Sequence, residues 1–307
     1  MSRAILPTLF VAVWLAAPAV AQAPAPAEAL SPPQAEANRL YQAKDWPAAA
    51  RAYQTLVKET PGNPSFRYRL GTALLGAGKP GDALVALAPA SQAQGPLGGL
   101  VLFGMARAQA RLGEKDRAFL ALKKATAAGF SQVSQLDREP DLAVLRSDPR
   151  FKEAVAEADK NARPCAYRPE SRAFDFWLGD WEVTSGGAPA GESHVERILE
   201  ECVVFENWTG ANGFTGKSFN LYDTAKKRWQ QTWVDNVGGV MEFKGEARDG
   251  NLYFTGESVP PGQTASVRNR MAFFPKGPDE VRQLIEQSSD GGVTWTVTFD
   301  GTYRRKP

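Results

Sequence analysis

The spacing of apolar residues changes once along this chain, and the change divides it. Up to about Asp159, apolar and small residues recur with the period of a helix. From Phe174 onward, short runs alternate with a period of two and are broken by turn residues. A pattern that gives one apolar face in a helix scatters those residues over both faces of a strand, so one element type cannot serve both halves. The chain is therefore read as a helical unit followed by a β unit. Its 307 residues, 43% of them hydrophobic, suffice for two cores. Lys and Arg total 36 against 34 Asp and Glu, without a basic stripe, which argues against nucleic acid as a partner.

The first residues read as a secretory signal over 1–23. Arg3 gives a positive start and Ile5 to Ala17 an apolar stretch. Ala19-Val20-Ala21 and Ala21-Gln22-Ala23 each offer a small-residue cleavage site. The alternative is an uncleaved anchor, but a Pro/Ala tract follows instead of a polar flank, and no later segment is long and apolar enough to span a bilayer. A periplasmic or secreted location follows, with 24–34 as a flexible Pro/Ala leader. In an oxidising compartment the two cysteines, Cys165 and Cys202, are expected to pair; two buried free thiols are the alternative. Two Cys and one His make too thin a set for a metal site, and no cofactor is expected.

Residues 35–160 carry a repeat with a spacing of 34 or 35 residues. Ala49, Ala83 and Ala118 hold one position; Tyr53, Leu87 and Leu122 a second; Ala37, Gly71 and Ala106 a third. The turns recur as well, at Ala43-Lys44-Asp45-Trp46, Gly76-Ala77-Gly78-Lys79 and Leu112-Gly113-Glu114-Lys115. This pattern resembles the tetratricopeptide repeat family over roughly Pro33 to Gly129, in three units. The Leu136–Leu142 and Asp148–Phe151 segments resemble the capping tail of such arrays. The resemblance implies a solenoid whose concave face docks a protein or peptide. Asn38, Tyr41, Tyr68, Thr72, Phe103 and Arg107 would line that face, although Tyr68 and Phe103 could instead pack between units. Only Asn38 and Arg107 suit a carboxylate clamp, which argues against a terminal-carboxylate ligand.

Residues 161–171, with Pro164 and Pro169, read as a linker. Ten strand-like runs follow in 172–307: Trp181–Ser185, Ser193–Leu199, Val203–Thr209, Ser218–Tyr222, Trp229–Val234, Val240–Gly245, Leu252–Glu257, Ser266–Phe274, Glu280–Ser288 and Trp295–Tyr303. Hairpin-sized gaps between consecutive strands predict an antiparallel up-and-down β-barrel, because closure removes exposed edges.

Gly179-Asp180-Trp181 on the first of these strands resembles the Gly-x-Trp signature of the lipocalin-related calycins. There the Trp packs across the closed end under an Arg of the last strand, a role open to Arg304 or Arg305. Phe174–Trp181, Phe205–Gly210, Thr232–Asp235 and Ser289–Trp295 together resemble a bacterial calycin-like family of unknown function. The Ser288–Trp295 stretch also resembles the Asp-box of sialidases, which implies a turn stabilised by Asp290 with Trp295 packed below it.

Neither face of the β runs is cleanly apolar, which suits a lumen holding water or an amphipathic molecule. Glu206, Trp208, Gln231, Trp233, Arg270 and Glu286 are the candidate lining; solvated outer-face positions are the alternative. No catalytic residue is assigned. His194, the one histidine, is read as an exposed strand residue, with a general base or a haem ligand as weaker alternatives. Glu206 and Glu286 could do acid–base work in a hydrolase or isomerase only if the fold brought them together. The expected function is a binding or scaffold protein: repeats dock a protein partner, and the barrel takes a small amphipathic ligand.

Overall fold

The computed structural model describes residues 30–259 and 264–307. The stretch read as a secretory signal, the part of the expected leader up to residue 29 and the expected turn at Pro260-Pro261-Gly262 lie outside the described residues. Among the described residues, no helix is long and apolar enough to cross a membrane.

The helical half pairs α1 (Pro32–Gln42) with α2 (Trp46–Glu59), α3 (Pro64–Gly76) with α4 (Pro80–Leu87), and α5 (Gly95–Arg111) with α6 (Lys115–Ala127). α1 begins at Pro32, inside the stretch read as leader, because proline at the first helical position brings a preset φ and lacks only a donor that would go unused there. Asp45 and Asn63 accept hydrogen bonds from backbone N–H groups of the helices that follow them. The turn inside each pair holds one left-handed residue at the same repeat position: Lys44, Gly78 and Gly113.

The repeat spacing is visible in the packing. A Cβ on Gly71 would lie 2.4 Å from Leu87 Cγ, so the small position of one helix exists to admit the large position of its partner. Contacts between neighbouring pairs carry the same interval: Arg107 to Asp141 and Arg150 to Asp116 are each 34 residues apart. The segment after α6 thus acts as an irregular fourth unit. It comprises α7 (Val133–Arg138), a 3₁₀ turn (Pro140–Leu145) and α8 (Pro149–Ala162), and it covers the apolar end of the array with Leu136, Leu142, Leu145 and Phe151.

Residues 161–171, read as the linker, are largely helical. α8 runs into two single helical turns, Pro164–Tyr167 and Pro169–Arg172, and a disulfide joins Cys165 to Cys202 in the loop between the second and third strands. Beside it, Arg197 bonds Asp175 and the carbonyl of Ser171, and Arg172 reaches Glu201 at 2.6 Å. Covalent and ionic ties hold the two halves together here.

The second half is a closed antiparallel barrel in which every strand pairs with its sequence neighbours and the last closes on the first. The strands are β1 (Gly179–Ser185), β2 (Ala188–Ile198), β3 (Val203–Gly210), β4 (Thr215–Asp223), β5 (Arg228–Asp235), β6 (Val240–Arg248), β7 (Asn251–Ser258), β8 (Val267–Pro275), β9 (Glu280–Ser288) and β10 (Thr296–Arg305). All ten expected runs are strands.

One end is plugged by a 3₁₀ turn, Asp175–Trp177, and an aromatic cluster beneath it. Phe174 stacks on Trp177 with centroids 4.8 Å apart, and Phe273 meets both. Trp181 donates to the Trp177 carbonyl. The arginine over Trp181 is Arg305, not Arg304, which pairs with Glu280 on the surface. Gly179 sits at φ +128°, and a Cβ there would lie 2.1 Å from the Arg305 guanidinium. This position therefore needs glycine for both its backbone and its space.

Candidate functional site

The end of the barrel remote from the plug opens into a cavity of about 590 Å³. Its mouth is formed by Ser185, Pro189, Asn212, Phe214 and Asp235, at the β1–β2, β3–β4 and β5–β6 ends. Alternation along each strand builds it in layers. Below the mouth comes a belt of Trp208, Trp233, Met241, Ile285 and Phe299. Below that lies a floor of Glu206, Gln231, Phe243, Met271, Gln283 and Tyr303.

The floor is polar on one side. Ser193 on β2 and Ser218 on β4 each donate a hydroxyl, at 2.9 Å, to opposite oxygens of Glu206 on β3. Asn220 donates to Ser218 and to the Val204 carbonyl, and Gln231 donates to Asn220 at 2.6 Å. A connected polar arc therefore spans β2 to β5. Across the lumen, Tyr303 donates to Gln283 at 2.6 Å. The residues that line the cavity from β6 to β10 are otherwise apolar.

Glu206 is 3% exposed. Burial pushes its carboxyl up to about 7, against the pull of the two serine hydroxyls. Burial also raises the Tyr303 hydroxyl well above its usual value, and the nearby Glu206 charge adds to this. Near neutral pH the floor thus holds an acid that can either donate or accept a proton.

Of the six residues expected to line the lumen, Glu206, Trp208, Gln231 and Trp233 do so. Arg270 and Glu286 do not. They pair on the outer face at 2.6 Å, and Arg270 lies 4.3 Å over the ring of Trp295. The alternation on β8 and β9 is as expected, but the inward set is Asn269, Met271 and Phe273 on one and Gln283 and Ile285 on the other. The carboxylate pair needed for acid–base chemistry is therefore split by the barrel wall. His194 is half-exposed on the outer face, its Nδ1 2.6 Å from Asp180, so it cannot ligate a group in the lumen. Ser193, Ser218, Asn220, Gln283 and Tyr303 escaped the sequence reading because uncharged polar residues on strands carry no distinguishing pattern.

Asp290 accepts from the backbone N–H of Val293 and Thr294 and from the Thr294 hydroxyl, while Trp295 donates to the Gly292 carbonyl. This is a self-contained turn with no free polar group aimed at a ligand.

On the repeats, the candidate groove is partly filled. Phe103 is 2% exposed and stacks on Phe130 with centroids 4.5 Å apart, so it belongs to the core. Arg107 is tied to Glu139 at 3.0 Å and to Asp141 at 2.9 Å in the capping segment. Asn38 accepts from the Tyr53 hydroxyl. Tyr41, Tyr68 and Thr72 remain half-buried, with Arg69 over the Tyr41 ring.

The tetratricopeptide repeat family profile matches this chain over residues 35–98 and again over 68–131, so the N-terminal half carries such repeats. No curated protein sequence is significantly similar. Among solved structures, PcrH in complex with the chaperone binding region of PopD is 19% identical with a TM-score of 0.31, covering 44% of this chain and 90% of that one. MamA is 20% identical with a TM-score of 0.34, covering 46% of this chain and 82% of that one.

Proposed function

We propose that this chain is an exported binding protein with two stations: a repeat array that docks a protein partner, and a calycin-like barrel that holds a small amphipathic molecule. The observation that carries the barrel reading is the layered lumen, with its mouth, aromatic belt and polar floor built around Glu206. A cavity of about 590 Å³ is within the range of small-molecule sites, and the layers suit a ligand with one polar and one apolar end. Tetratricopeptide repeats support the docking role, with Tyr41, Tyr68 and Thr72 as the part of the inner face left partly accessible. The Cys165–Cys202 disulfide supports export, because such bonds persist in oxidising compartments.

One observation favours a second reading. A buried carboxyl titrating at about 7 is suited to proton transfer, so Glu206 could serve an isomerase or hydrolase by itself.

Native mass spectrometry of the protein purified from the periplasm tests the main reading. Additional mass that leaves on denaturation is the expected result. The bare polypeptide mass, together with no displaceable binding of a neutral hydrophobic dye, would overturn it.

A further inference from the structure

The charges around the lumen are distributed unevenly. Among the described lining residues the only carboxyl groups are Glu206 at the floor and Asp235 at the mouth, and no Lys, Arg or His is present. Three cations on the surrounding strands stand outside: Arg270 on Glu286, Arg282 on Asp300, and Lys217 beside Asn207. An anionic ligand such as a fatty acid would thus enter a site with no cation to receive it and a carboxyl at its end.

The carboxyl itself is held for a partner. Its two hydrogen bonds come from neutral hydroxyls, one to each oxygen. An ionised carboxyl has about four lone-pair sites, so these two bonds fix its orientation and leave acceptor capacity unused. Burying that charge without a counter-ion costs several kcal/mol, and a cation seated on the free lone pairs offsets part of that cost. The belt above is lined by Trp208, Trp233 and Phe299. Aromatic side chains of this kind suit both an apolar body and a nearby positive charge.

We propose that the lumen binds small organic amines, with the ammonium group on the Glu206 carboxylate and the apolar body against Trp208, Met241 and Phe299. This rests on the reading that the barrel holds an amphipathic ligand, and it commits that reading to one charge. Insertion is head first, because Glu206 lies two residues deeper along β3 than Trp208.

Isothermal titration calorimetry of the full disulfide-bonded protein at pH 8 separates the two claims, with n-octylamine, octan-1-ol and sodium octanoate as probes of one chain length. The amine should bind at least ~10-fold more tightly than the alcohol, and the octanoate most weakly. In Glu206→Gln the advantage of the amine over the alcohol should vanish while the alcohol's affinity holds. Octanoate binding as tightly as the amine would overturn the amine assignment and leave the lumen as a ligand site; this comparison needs only the unmodified protein. An amine advantage that persists in a folded Glu206→Gln would overturn it as well. If none of the three binds, the lumen reading falls together with it.

Discussion

The guanidinium of Arg305 lies 4.3 Å over the ring of Trp181, and the two residues are direct cross-strand partners where β10 closes on β1. Arg305 also donates to the carbonyls of Leu178 and Pro278, so one side chain ties the first strand, the plug and the β8–β9 turn. Arg305→Ala is expected to destabilise the barrel by about 2 kcal/mol, from the lost cation–π contact and unmade hydrogen bonds. Arg304→Ala removes only an exposed ion pair with Glu280 and should change stability by less than about 0.5 kcal/mol. Urea unfolding of the two variants checks the contrast.

The Cys165–Cys202 bond closes a loop of 37 residues across the junction of the two halves. On the chain-entropy account such a loop is worth about 4 kcal/mol. The ionic cluster of Arg172, Asp175, Arg197 and Glu201 remains after reduction. Cys165→Ser with Cys202→Ser should therefore lower the unfolding midpoint while the barrel still folds. Circular dichroism under denaturant, with a reducing agent acting on the unmodified protein but not on the double variant, measures this.

The β half was legible because its evidence is local. Alternation and turn residues mark each strand, and hairpin gaps leave few topologies. Choosing the inner face was harder, because it requires the register of distant strands. On β8 both candidate faces hold polar residues, and Arg270 stood out by its charge, yet Asn269 and Met271 face inward. Arg304 and Arg305 are adjacent in sequence, and only the pairing of β10 with β1 decides between them. In the helical half, the small and large repeat positions were readable because each unit repeats the same contact. The fate of Arg107 was not, because its partners Glu139 and Asp141 lie in a segment that departs from the repeat.

Arg107 is 16% exposed and faces two carboxylates that are 10% and 14% exposed. Burial raises the Glu139 carboxyl above its usual value, so removing the nearby cation leaves Glu139 poorly solvated and unpaired and leaves Asp141 with only Arg111, at 3.6 Å. Arg107→Ala should destabilise the repeat array by about 3 kcal/mol and release the capping segment first. Arg39→Ala, which breaks the exposed pair with Glu36, should be nearly neutral. Hydrogen exchange over residues 133–145, read alongside the unfolding midpoint, distinguishes loss of the cap from global weakening.

Glu206 makes the stability of the barrel depend on pH in a direction opposite to most carboxylates. Its ordinary value is 4.5, and burial lifts it to about 7 in the folded protein. Below pH 4.5 both folded and unfolded chains hold the proton, and its contribution to stability is fully present. Between 4.5 and 7 the unfolded chain releases a proton that the folded chain keeps, so that contribution falls as pH rises and is lost above about 7. The loss amounts to about 3 kcal/mol across this window. Glu206→Gln keeps the shape and cannot ionise; its amide oxygen accepts from one serine, and the other serine hydroxyl turns to accept from the amide NH2. The variant should match the unmodified protein near pH 4.5 and exceed its stability at pH 8 by up to that amount. Urea midpoints for both proteins at the two pH values decide the matter, and equal slopes against pH would show that Glu206 does not titrate in this range. A cation seated on the floor should reverse the trend, since an ammonium ion binds the ionised carboxyl and stabilises the folded chain by mass action. With saturating n-octylamine, the unmodified protein should therefore recover at pH 8 the stability that Glu206 ionisation removes, and Glu206→Gln should gain no more from n-octylamine than from octan-1-ol at the same concentration.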